Sequence, residues 1–372
     1  MRFLDGVKLD YSDVLLVPQR SELSSRSEVN LTRNFTFRYA PFTYTGTPII
    51  VANMDFVGTI SMARALTPYN IGVALHKFYP KEVLAKYFNN LNYDNPHTFY
   101  TMGISDYDMK KFWYVFDNEK NKPNYICIDI ANGYSTKLVD FVQLMRENFP
   151  DACIMAGNVV TPDMVHDLLL KGADIVKIGI GSGSVCTTRS LTGCGYPQLS
   201  AVIECANAAH GIKNGLICAD GGITCPGDIV KAFGAGADFV MCGGLFAGHS
   251  ECEGELIGEL KEIGHTINGK ISSEDPISMS LFVDPNNLKM KFHGMSSKEA
   301  MELHYGGKAD YRAAEGKEVE IPYKGPIKNT IEEILGGVRS ACTYIGADGI
   351  KQISKCTNFV RVNRQLNNVF GN

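Results

Sequence analysis

Eight short runs of apolar and β-branched residues, each bounded by turn residues, recur between residues 47 and 244. Each run is apolar at consecutive positions, which is typical of strands buried on both faces of a parallel sheet. The runs begin at Thr47, Ile71, Phe99, Tyr125, Cys153, Ala173, Gly215 and Ala237, and segments with helical spacing separate them at 58–66, 81–91, 105–116, 135–148, 161–170, 197–210 and 225–233. This alternation predicts an α/β fold, the (β/α)8 TIM barrel. An open doubly wound sheet is the alternative, because pattern alone does not establish closure.

The strand–helix alternation stops after Gly244. Residues 249–326 show no clear repeat, and the stretch from Ser272 carries the prolines and polar residues of a long loop. Long irregular segments inside compact domains are usually lids or binding elements, so we expect 249–326 to form a flap over the active face. A final helix from Ile327 completes the outer layer, and a tail follows. The whole of 1–372 is then a single barrel domain.

Composition argues against several classes of protein. The 372 residues are 45% hydrophobic and 20% charged with a net charge of -4, which favours an ordinary globular chain and gives no sign of a nucleic acid or an acidic membrane as partner. Asp5, Asp10 and Asp13 interrupt the region where a secretory signal needs an apolar run. Eleven cysteines without a C-x2-C pair fit neither a disulfide framework nor a zinc site. A reducing compartment, by default the cytoplasm, is predicted.

Glycine-rich strand ends mark the candidate site. In a barrel of this kind the catalytic residues lie at the C-terminal ends of the strands, and glycine-rich turns there present N–H groups suited to phosphate. The last three predicted strands end in such turns, and one of them contains Cys186. A thiol in this setting is placed as a nucleophile. Oriented N–H groups and cations such as Lys77 or Arg189 would favour its thiolate, and Thr188 would handle a proton.

Other interpretations of these residues stay open at this level. Lys77 and Asp129 are equally suited to a structural ion pair in the barrel mouth. Asp220 before two glycines is a common turn signature, and Thr188 can bond its own backbone. No G-x-G-x-x-G motif follows a strand and opens a helix, so a Rossmann dinucleotide site is unsupported. The residues alone predict a barrel enzyme with a cysteine nucleophile and a phosphate-bearing substrate.

Long motifs along nearly the whole chain resemble the IMP dehydrogenase/GMP reductase family. They include ANMD from Ala52, CIDIANGY from Cys127, GSVCTTR from Gly183, DGGITCPGDIVKAFGAGADFVMCGG from Asp220, GMSS from Gly294 and YRAAEGK from Tyr311. The resemblance implies the TIM barrel and a cysteine that bonds covalently to a purine nucleotide, in purine interconversion and salvage.

Two features favour the reductase activity of that family. Lys77 and Asp129 are about fifty residues apart, which leaves no room for the regulatory domain pair usually inserted there in IMP dehydrogenases. Glu315 stands where dehydrogenases carry glutamine, and a carboxyl group can cycle a proton to an amine whereas an amide cannot. The resemblance then implies NADPH-dependent reductive deamination of GMP to IMP and ammonia. Oxidation of IMP to XMP with NAD is the alternative, and a non-catalytic nucleotide sensor is a second.

The resemblance also implies a role for each candidate residue. Cys186 would attack purine C2, and Thr188 and Glu315 would protonate the departing amine. The nucleotide would contact Asp220 at the ribose, Ser184, Gly222, Gly243 and Gly244 at the phosphate, and Met295, Ser296, Arg312 and Gly316 at the base. NADPH would lie near Lys77, Ser105, Asp129 and Asn158, and a monovalent cation such as K⁺ would bind carbonyls of Gly181, Gly183 and Cys186. A homotetramer is also implied.

The sequence departs from the family pattern at four places. Ser182 replaces a usual proline, Phe56 a threonine and His293 a tyrosine, and extra residues lie between Glu255 and Phe292. A proline fixes the backbone that a serine leaves free, so the cysteine loop or cation site is expected to be looser. We expect the other departures to affect the flap and the cofactor face more than the chemistry.

Overall fold

The sheet of this protein closes into a barrel. The computed structural model describes residues 3–89, 95–116, 122–262, 265–270, 287–307 and 313–363, with only the backbone for 259–262 and 265–270. After β1 (Val14–Leu16) and β2 (Arg33–Thr36) come the barrel strands β3 (Thr43–Val51), β4 (Ile71–Ala74), β5 (Thr98–Met102), β6 (Tyr125–Asp129), β7 (Cys153–Val159), β8 (Ile175–Ile178), β9 (Leu216–Asp220) and β10 (Phe239–Cys242). Strand β10 pairs in parallel with β3, Val240 beside Ile49. The predicted (β/α)8 barrel is confirmed, and the open sheet is excluded.

Helices follow the strands as the pattern predicted. They are α1 (Ile60–Leu66), α2 (Lys81–Phe88), α3 (Asp106–Val115), α4 (Thr136–Asn148), α5 (Pro162–Leu170), α6 (Thr188–Thr192), α7 (Gln198–His210) and α8 (Pro226–Gly234), with 3-10 turns at Tyr11–Asp13, Arg26–Glu28 and Thr67–Tyr69. Pro162 and Pro226 occupy the first turns of α5 and α8, where a missing N–H costs no intrahelical hydrogen bond. The short helix α6, directly after the candidate cysteine, was not predicted.

Two sets of buried side chains divide the barrel between outside and inside. Outward-facing residues such as Ile49 and Val176 pack against the helices, and inward-facing ones such as Ile50 and Met155 fill the interior. The hairpin formed by β2 and the start of β3 joins the inner set, because the ring of Phe35 lies 4.6 Å from that of Phe239. The N-terminal end of the barrel is therefore packed with aromatic side chains, and the cleft lies at the other end.

Beyond β10 the chain forms a second, antiparallel sheet in the order β12-β11-β13-β14. Its strands are β11 (Leu256–Glu262), β12 (His265–Lys270), β13 (Lys289–His293) and β14 (Glu318–Pro322), and α9 (Lys298–Tyr305) lies between the last two. The sequence pattern did not reveal these elements, because β14 for example is exposed or half-exposed at every position and has no buried face to mark it. The proline-containing stretch from Ser272 lies mostly outside the described residues.

The tail after the last barrel helix contains a further helix and a strand, which the sequence pattern did not reveal. Helix α10 (Ile327–Ile345) is followed by α11 (Ile350–Cys356) and by β15 (Phe359–Arg361). Strand β15 pairs antiparallel with β1, Phe359 opposite Leu16. Both elements are too short for periodicity to reveal them. In the described part of the chain, no helix combines the length and the apolar character needed to cross a bilayer.

Candidate functional site

A cleft of about 220 Å³ opens at the C-terminal ends of the barrel strands. Loops after the strands form its walls, and the segment 294–296 and Glu315 cover it from the flap side. The candidate residues that line the cleft are Cys186, Thr188, Glu315, Ser184, Asp220, Gly222, Gly243, Gly244, Met295, Ser296, Asp129, Asn158, Gly181 and Gly183. Residues assigned to the site by resemblance, and widely separated in the chain, therefore lie around one cavity.

A hydrogen-bonded chain runs from the cysteine into the flap. The Cys186 thiol donates to Thr188 Oγ1 across 3.2 Å, and the Thr188 hydroxyl donates to Glu315 Oε2 across 2.7 Å. Thr188 is the first residue of α6, so the turn of that helix brings its hydroxyl back beside the thiol. All three side chains are half-buried. The arrangement gives the thiol proton a path to a carboxylate, which is what an activated nucleophile needs.

Backbone pairing holds the cysteine loop, which carries Cys186 and Thr188, against the flap segment that carries Glu315. Gly316 forms an antiparallel bridge with Cys186 and a parallel bridge with Ser297, and Thr187 N–H donates to the Glu315 carbonyl at 3.1 Å. A Cβ on Gly316 would lie 2.9 Å from Ser297 N and 3.2 Å from Gly294 Cα. Glycine at this position therefore lets the cysteine loop and two flap segments meet at one point.

Lys177 is the charged centre of the barrel mouth. Its side chain is only 1% exposed, and Nζ lies 3.2 Å from Asp129 Oδ1 and 3.3 Å from Asp220 Oδ2. Burial alone would lower the pKa of this amine, but the two carboxylates outweigh burial and hold the pKa well above its ordinary value. Burial opposes ionisation of Asp129 too, and Lys177 together with Asn53 keeps the pKa of that carboxyl below its ordinary value. The ion pair at Asp129 is thus with Lys177, where the sequence had suggested Lys77.

Glycines and one amide shape the wall around Asp220. Asn158 Nδ2 donates to Asp220 Oδ2 at 2.8 Å and to the Gly179 carbonyl at 2.9 Å. Gly221 and Gly222 follow with φ values of 87° and 79°, a conformation that favours glycine. A Cβ on Gly244 would lie 3.1 Å from Ser184 Oγ, so these two loops approach each other closely. The result is a concave, backbone-lined pocket of the kind that suits a phosphate.

The cysteine loop is held at both of its ends. Ser182 Oγ donates to the Asp220 carbonyl at 3.0 Å, which ties the loop to the end of β9. Arg189 donates to both carboxylate oxygens of Asp10, at 2.8 and 3.2 Å, and to the Tyr196 carbonyl. The guanidinium group therefore anchors α6 to the N-terminal segment. Arg189 also interacts electrostatically with Cys186, so its predicted role as a cation that favours the thiolate stays a prediction.

Two candidate side chains lie away from the cleft wall, and a third candidate, Gly316, meets the site only through its backbone bridges to Cys186 and Ser297. Lys77 Nζ lies over the ring of Phe78 at 5.6 Å and over that of Tyr305 at 6.0 Å. Ser105 caps α3: its hydroxyl accepts from Asp108 N–H at 3.1 Å. Arg312 lies outside the described residues. Of the cofactor candidates, Asp129 and Asn158 therefore reach the cleft.

Sequence reasoning missed the buried lysines at this end of the barrel. Lys177 lies within the strand IVKI, and a charge inside a buried apolar strand requires a partner, which is a signal that the sequence carried. Lys111, on α3, donates to the carbonyls of Lys77 and Tyr79 and so fixes the loop after β4. Lys111 lies in a helical segment with other polar residues, so the sequence pattern did not show that its side chain is buried.

The fold and the cleft together define a (β/α)8-barrel protein in which a cysteine, a threonine and a glutamate are joined by hydrogen bonds at the C-terminal mouth. Residues 8–275 and 263–367 match the family model described as the IMP dehydrogenase / GMP reductase domain. The chain is 50% identical over 366 residues to GMP reductase 1 of Rattus norvegicus, covering 98% of each chain. It is 50% identical over 373 residues to GMP reductase of Escherichia coli O81 (strain ED1a), covering 100% of each. The chain belongs to the IMP dehydrogenase/GMP reductase family.

Proposed function

We propose that this protein is a GMP reductase, which converts GMP into IMP and ammonia at the expense of NADPH. Its family and its 50% identity to curated GMP reductases support oxidoreductase chemistry with a nicotinamide cofactor. The observation that carries the proposal is the hydrogen-bonded chain from Cys186 through Thr188 to Glu315. A carboxylate in contact with the proton path of the nucleophile suits a reaction that must release an amine.

The proposed deamination uses one proton twice. The thiol proton passes through Thr188 to Glu315, and the thiolate forms a bond to purine C2 while electrons move onto N3. Glu315 then returns the proton through Thr188 to the exocyclic nitrogen. The electron pair on N3 re-forms the C2=N3 double bond, and the bond from C2 to the exocyclic nitrogen breaks with its electron pair to give ammonia. The purine stays attached to Cys186. Addition followed by assisted departure replaces the direct displacement of a poor leaving group.

The second half of the reaction releases the nucleotide. When bound, the dihydronicotinamide of NADPH supplies a hydride to C2. The bond between C2 and the Cys186 sulfur then breaks, the thiolate leaves with its electron pair and IMP is free. The Cys186 thiolate then takes up one proton from solvent, which restores the thiol, and the ionised Glu315 can accept that proton in the next cycle.

The cleft suits a purine nucleotide along its length. The glycine turns at 221–222 and 243–244, with Ser184 beside them, are proposed to bind the 5′-phosphate through N–H and hydroxyl donors. The Asp220 carboxylate, fixed by Asn158 and Lys177, is proposed to accept hydrogen bonds from the ribose hydroxyls. Met295 and Ser296, with Gly316, cover the position of the base, and Arg312 keeps its assignment there as a proposal.

Asn158 and Asp129, on the wall of the cleft formed by the ends of β6 and β7, have groups that could bind a nicotinamide. Asn158 Oδ1 is buried without a hydrogen-bond partner in the described part of the chain, although its amide nitrogen makes two bonds. Such an acceptor is suited to the N–H groups of a carboxamide. We assign Asn158 and Asp129 to the nicotinamide side, with Lys77 and Ser105 further out along the cofactor.

A monovalent cation is proposed at the carbonyls of Gly181, Gly183 and Cys186. The Gly183 carbonyl accepts from Cys186 N–H at 3.1 Å and has a second lone pair available for an ion. In the described residues no group of three or more histidine, cysteine, aspartate or glutamate side chains is arranged for a metal. K⁺ would fix the loop that carries the thiol.

NADPH absorbance with GMP as substrate tests the proposal, with ammonia measured in parallel and IMP plus NAD as the control reaction. NADPH loss matched by equal ammonia release is the expected result. NADH formed from IMP, with no reaction of GMP, would establish the dehydrogenase instead, and GMP binding without turnover would establish a sensor. We further propose a cytoplasmic homotetramer active in purine salvage. All eleven cysteines are free. Light scattering tests the assembly.

A further inference from the structure

Three histidines converge on one buried carboxylate beside the cleft. Asp55 is 1% exposed, and its Oδ2 lies 3.2 Å from His293 Nε2 and 2.5 Å from His304 Nε2. His76 Nδ1 lies 3.7 Å from the other oxygen, Oδ1. None of these four residues has a part in the proposed reaction, and a buried carboxylate requires such partners.

The cluster joins the barrel to the flap. Asp55 and His76 follow the barrel strands β3 and β4, whereas His293 ends β13 and His304 lies on α9. His293 and His304 thus lie on either side of the segment 294–296 that covers the cleft. In addition, Asp55 N–H donates to Met295 Sδ at 3.2 Å. Asp55 therefore contacts the covering segment 294–296 directly, and it also bonds to a histidine on each side of that segment.

The surroundings favour an ionised Asp55 that accepts from both flap imidazoles. Burial alone would raise the pKa of its carboxyl, but hydrogen bonds from His293 and His304 outweigh burial and lower it. Hydrogen bonds to an ionised acceptor are about twice as strong as neutral ones. Removing the negative charge therefore weakens both attachments of the flap at once.

Aromatic rings hold the two imidazoles in place. The ring of Phe78 is stacked on that of His304, with centroids 3.5 Å apart and planes 2° apart. The ring of Phe56 meets His293 edge-on, with centroids 5.1 Å apart. Phe56 and His293 are two of the departures from the family pattern, so these departures form one contact. Each ring is thereby oriented with Nε2 toward Asp55.

We propose that Asp55, His293 and His304 are positioning residues that clasp the flap to the barrel and so hold Met295 and Ser296 over the purine. We call these three residues and their hydrogen bonds the clasp. The hydrogen bonds are observed in the structure, and their effect on the purine rests on the proposed function. The clasp acts on the binding of the nucleotide and on the cover over Cys186. It takes no part in moving the proton between Cys186 and Glu315.

Two variants and a rescue test the clasp in the full-length protein. Asp55→Asn keeps the volume and removes the charge, and His304→Leu removes one donor, whereas His304→Gln keeps an N–H donor. We expect the first two to raise the KM for GMP about tenfold, as loss of a charged hydrogen bond would, with a smaller change in kcat. His304→Gln is expected to recover most of the loss. Leu303→Ala, exposed on the same helix, is the control that should not change either constant.

A second measurement does not depend on turnover. Alkylation of Cys186 by iodoacetamide without nucleotide, followed by peptide mass spectrometry, reports how well the flap covers the thiol. The exposed Cys194 and Cys225 serve as internal references for folding. Asp55→Asn and His304→Leu should label Cys186 several-fold faster with the reference rates unchanged. If labelling rises while even the native protein leaves GMP unreacted, the clasp stands and the proposed function fails. If the labelling rate of Cys186 and the KM for GMP are both unchanged in Asp55→Asn and in His304→Leu, the proposed clasp is wrong.

Discussion

The hydroxyl of Thr188 donates to the carboxylate of Glu315 at 2.7 Å, although 127 residues separate them in the chain. Thr188 is the first residue of α6, two residues after the proposed nucleophile Cys186, and Glu315 precedes the flap strand β14. The nucleophile and the acid of the proposed reaction are thus carried by two parts of the fold.

Replacing Glu315 by glutamine should chiefly impair ammonia release. An amide cannot take up and return the thiol proton, so we expect the deamination step to slow by about 10²–10⁴-fold. Single-turnover measurement of ammonia with GMP isolates that step. Glu318→Gln, exposed and three residues away, is the matched control. An unchanged rate of ammonia release would remove Glu315 from its assigned role.

Cys186→Ala should abolish turnover and leave GMP binding intact. Without the sulfur no bond to purine C2 forms, and we expect a loss of at least about 10³-fold in kcat. Calorimetry measures the remaining binding of GMP, and intact mass spectrometry of the native protein during turnover looks for the covalent purine. Cys194→Ala, on the exposed surface, should behave as the native protein. Full activity of Cys186→Ala would contradict the mechanism.

Lys177→Met should destabilise the fold strongly. The change leaves the carboxylates of Asp129 and Asp220 close together without their shared cation, and breaking a buried ion pair in this way costs about 3–5 kcal/mol. Urea unfolding gives the free energy, with the exposed Lys171→Met as control. Adding Asp129→Asn to Lys177→Met should recover part of the loss, because it removes one of the repelling charges. A double variant less stable than Lys177→Met would argue against the charge explanation.

The stability contributed by Lys111 should increase at alkaline pH. Burial lowers the pKa of this amine from 10.5 to about 8. Between those values the unfolded chain binds a proton that the folded chain does not, so the free energy of unfolding rises with pH. The neutral amine still has two N–H groups for the carbonyls of Lys77 and Tyr79.

Thermal unfolding of the native protein and of Lys111→Met measures this effect. The difference in Tm between them should grow by roughly 2 °C between about pH 7.5 and about pH 10. Lys110→Met, on the exposed side of the same helix, should show no such trend. A difference that does not change with pH would mean that the amine stays charged when folded.

The barrel could be predicted because each of its strands is apolar on both faces. Runs such as IGVA and FVMC would expose apolar side chains on a sheet with one solvent-facing side. They therefore indicate a parallel sheet covered on both faces, which few folds provide. The flap strands could not be predicted in the same way. In β14 the residues are exposed or half-exposed throughout, and the pairing with β13 supplies the order that local sequence does not.

The sequence predicted those site residues that belong to a recognisable motif. Cys186 and the glycine turns could be identified because a cysteine within a glycine-rich segment is an unusual local composition. The Asp55 cluster depends on His293 and His304, which are more than two hundred residues from Asp55 in sequence and meet it only through packing. Lys177 carried a readable signal, since an unpaired charge in a buried strand is too costly to occur.

Gly316 touches both the cysteine loop and Ser297, so one small backbone contact decides whether nucleophile and acid face each other. The same contact places the covering segment over the cleft and Glu315 within reach of Thr188. In the proposed reaction, a change that displaced Gly316 would therefore remove the proton path of the thiol and the cover over the purine together.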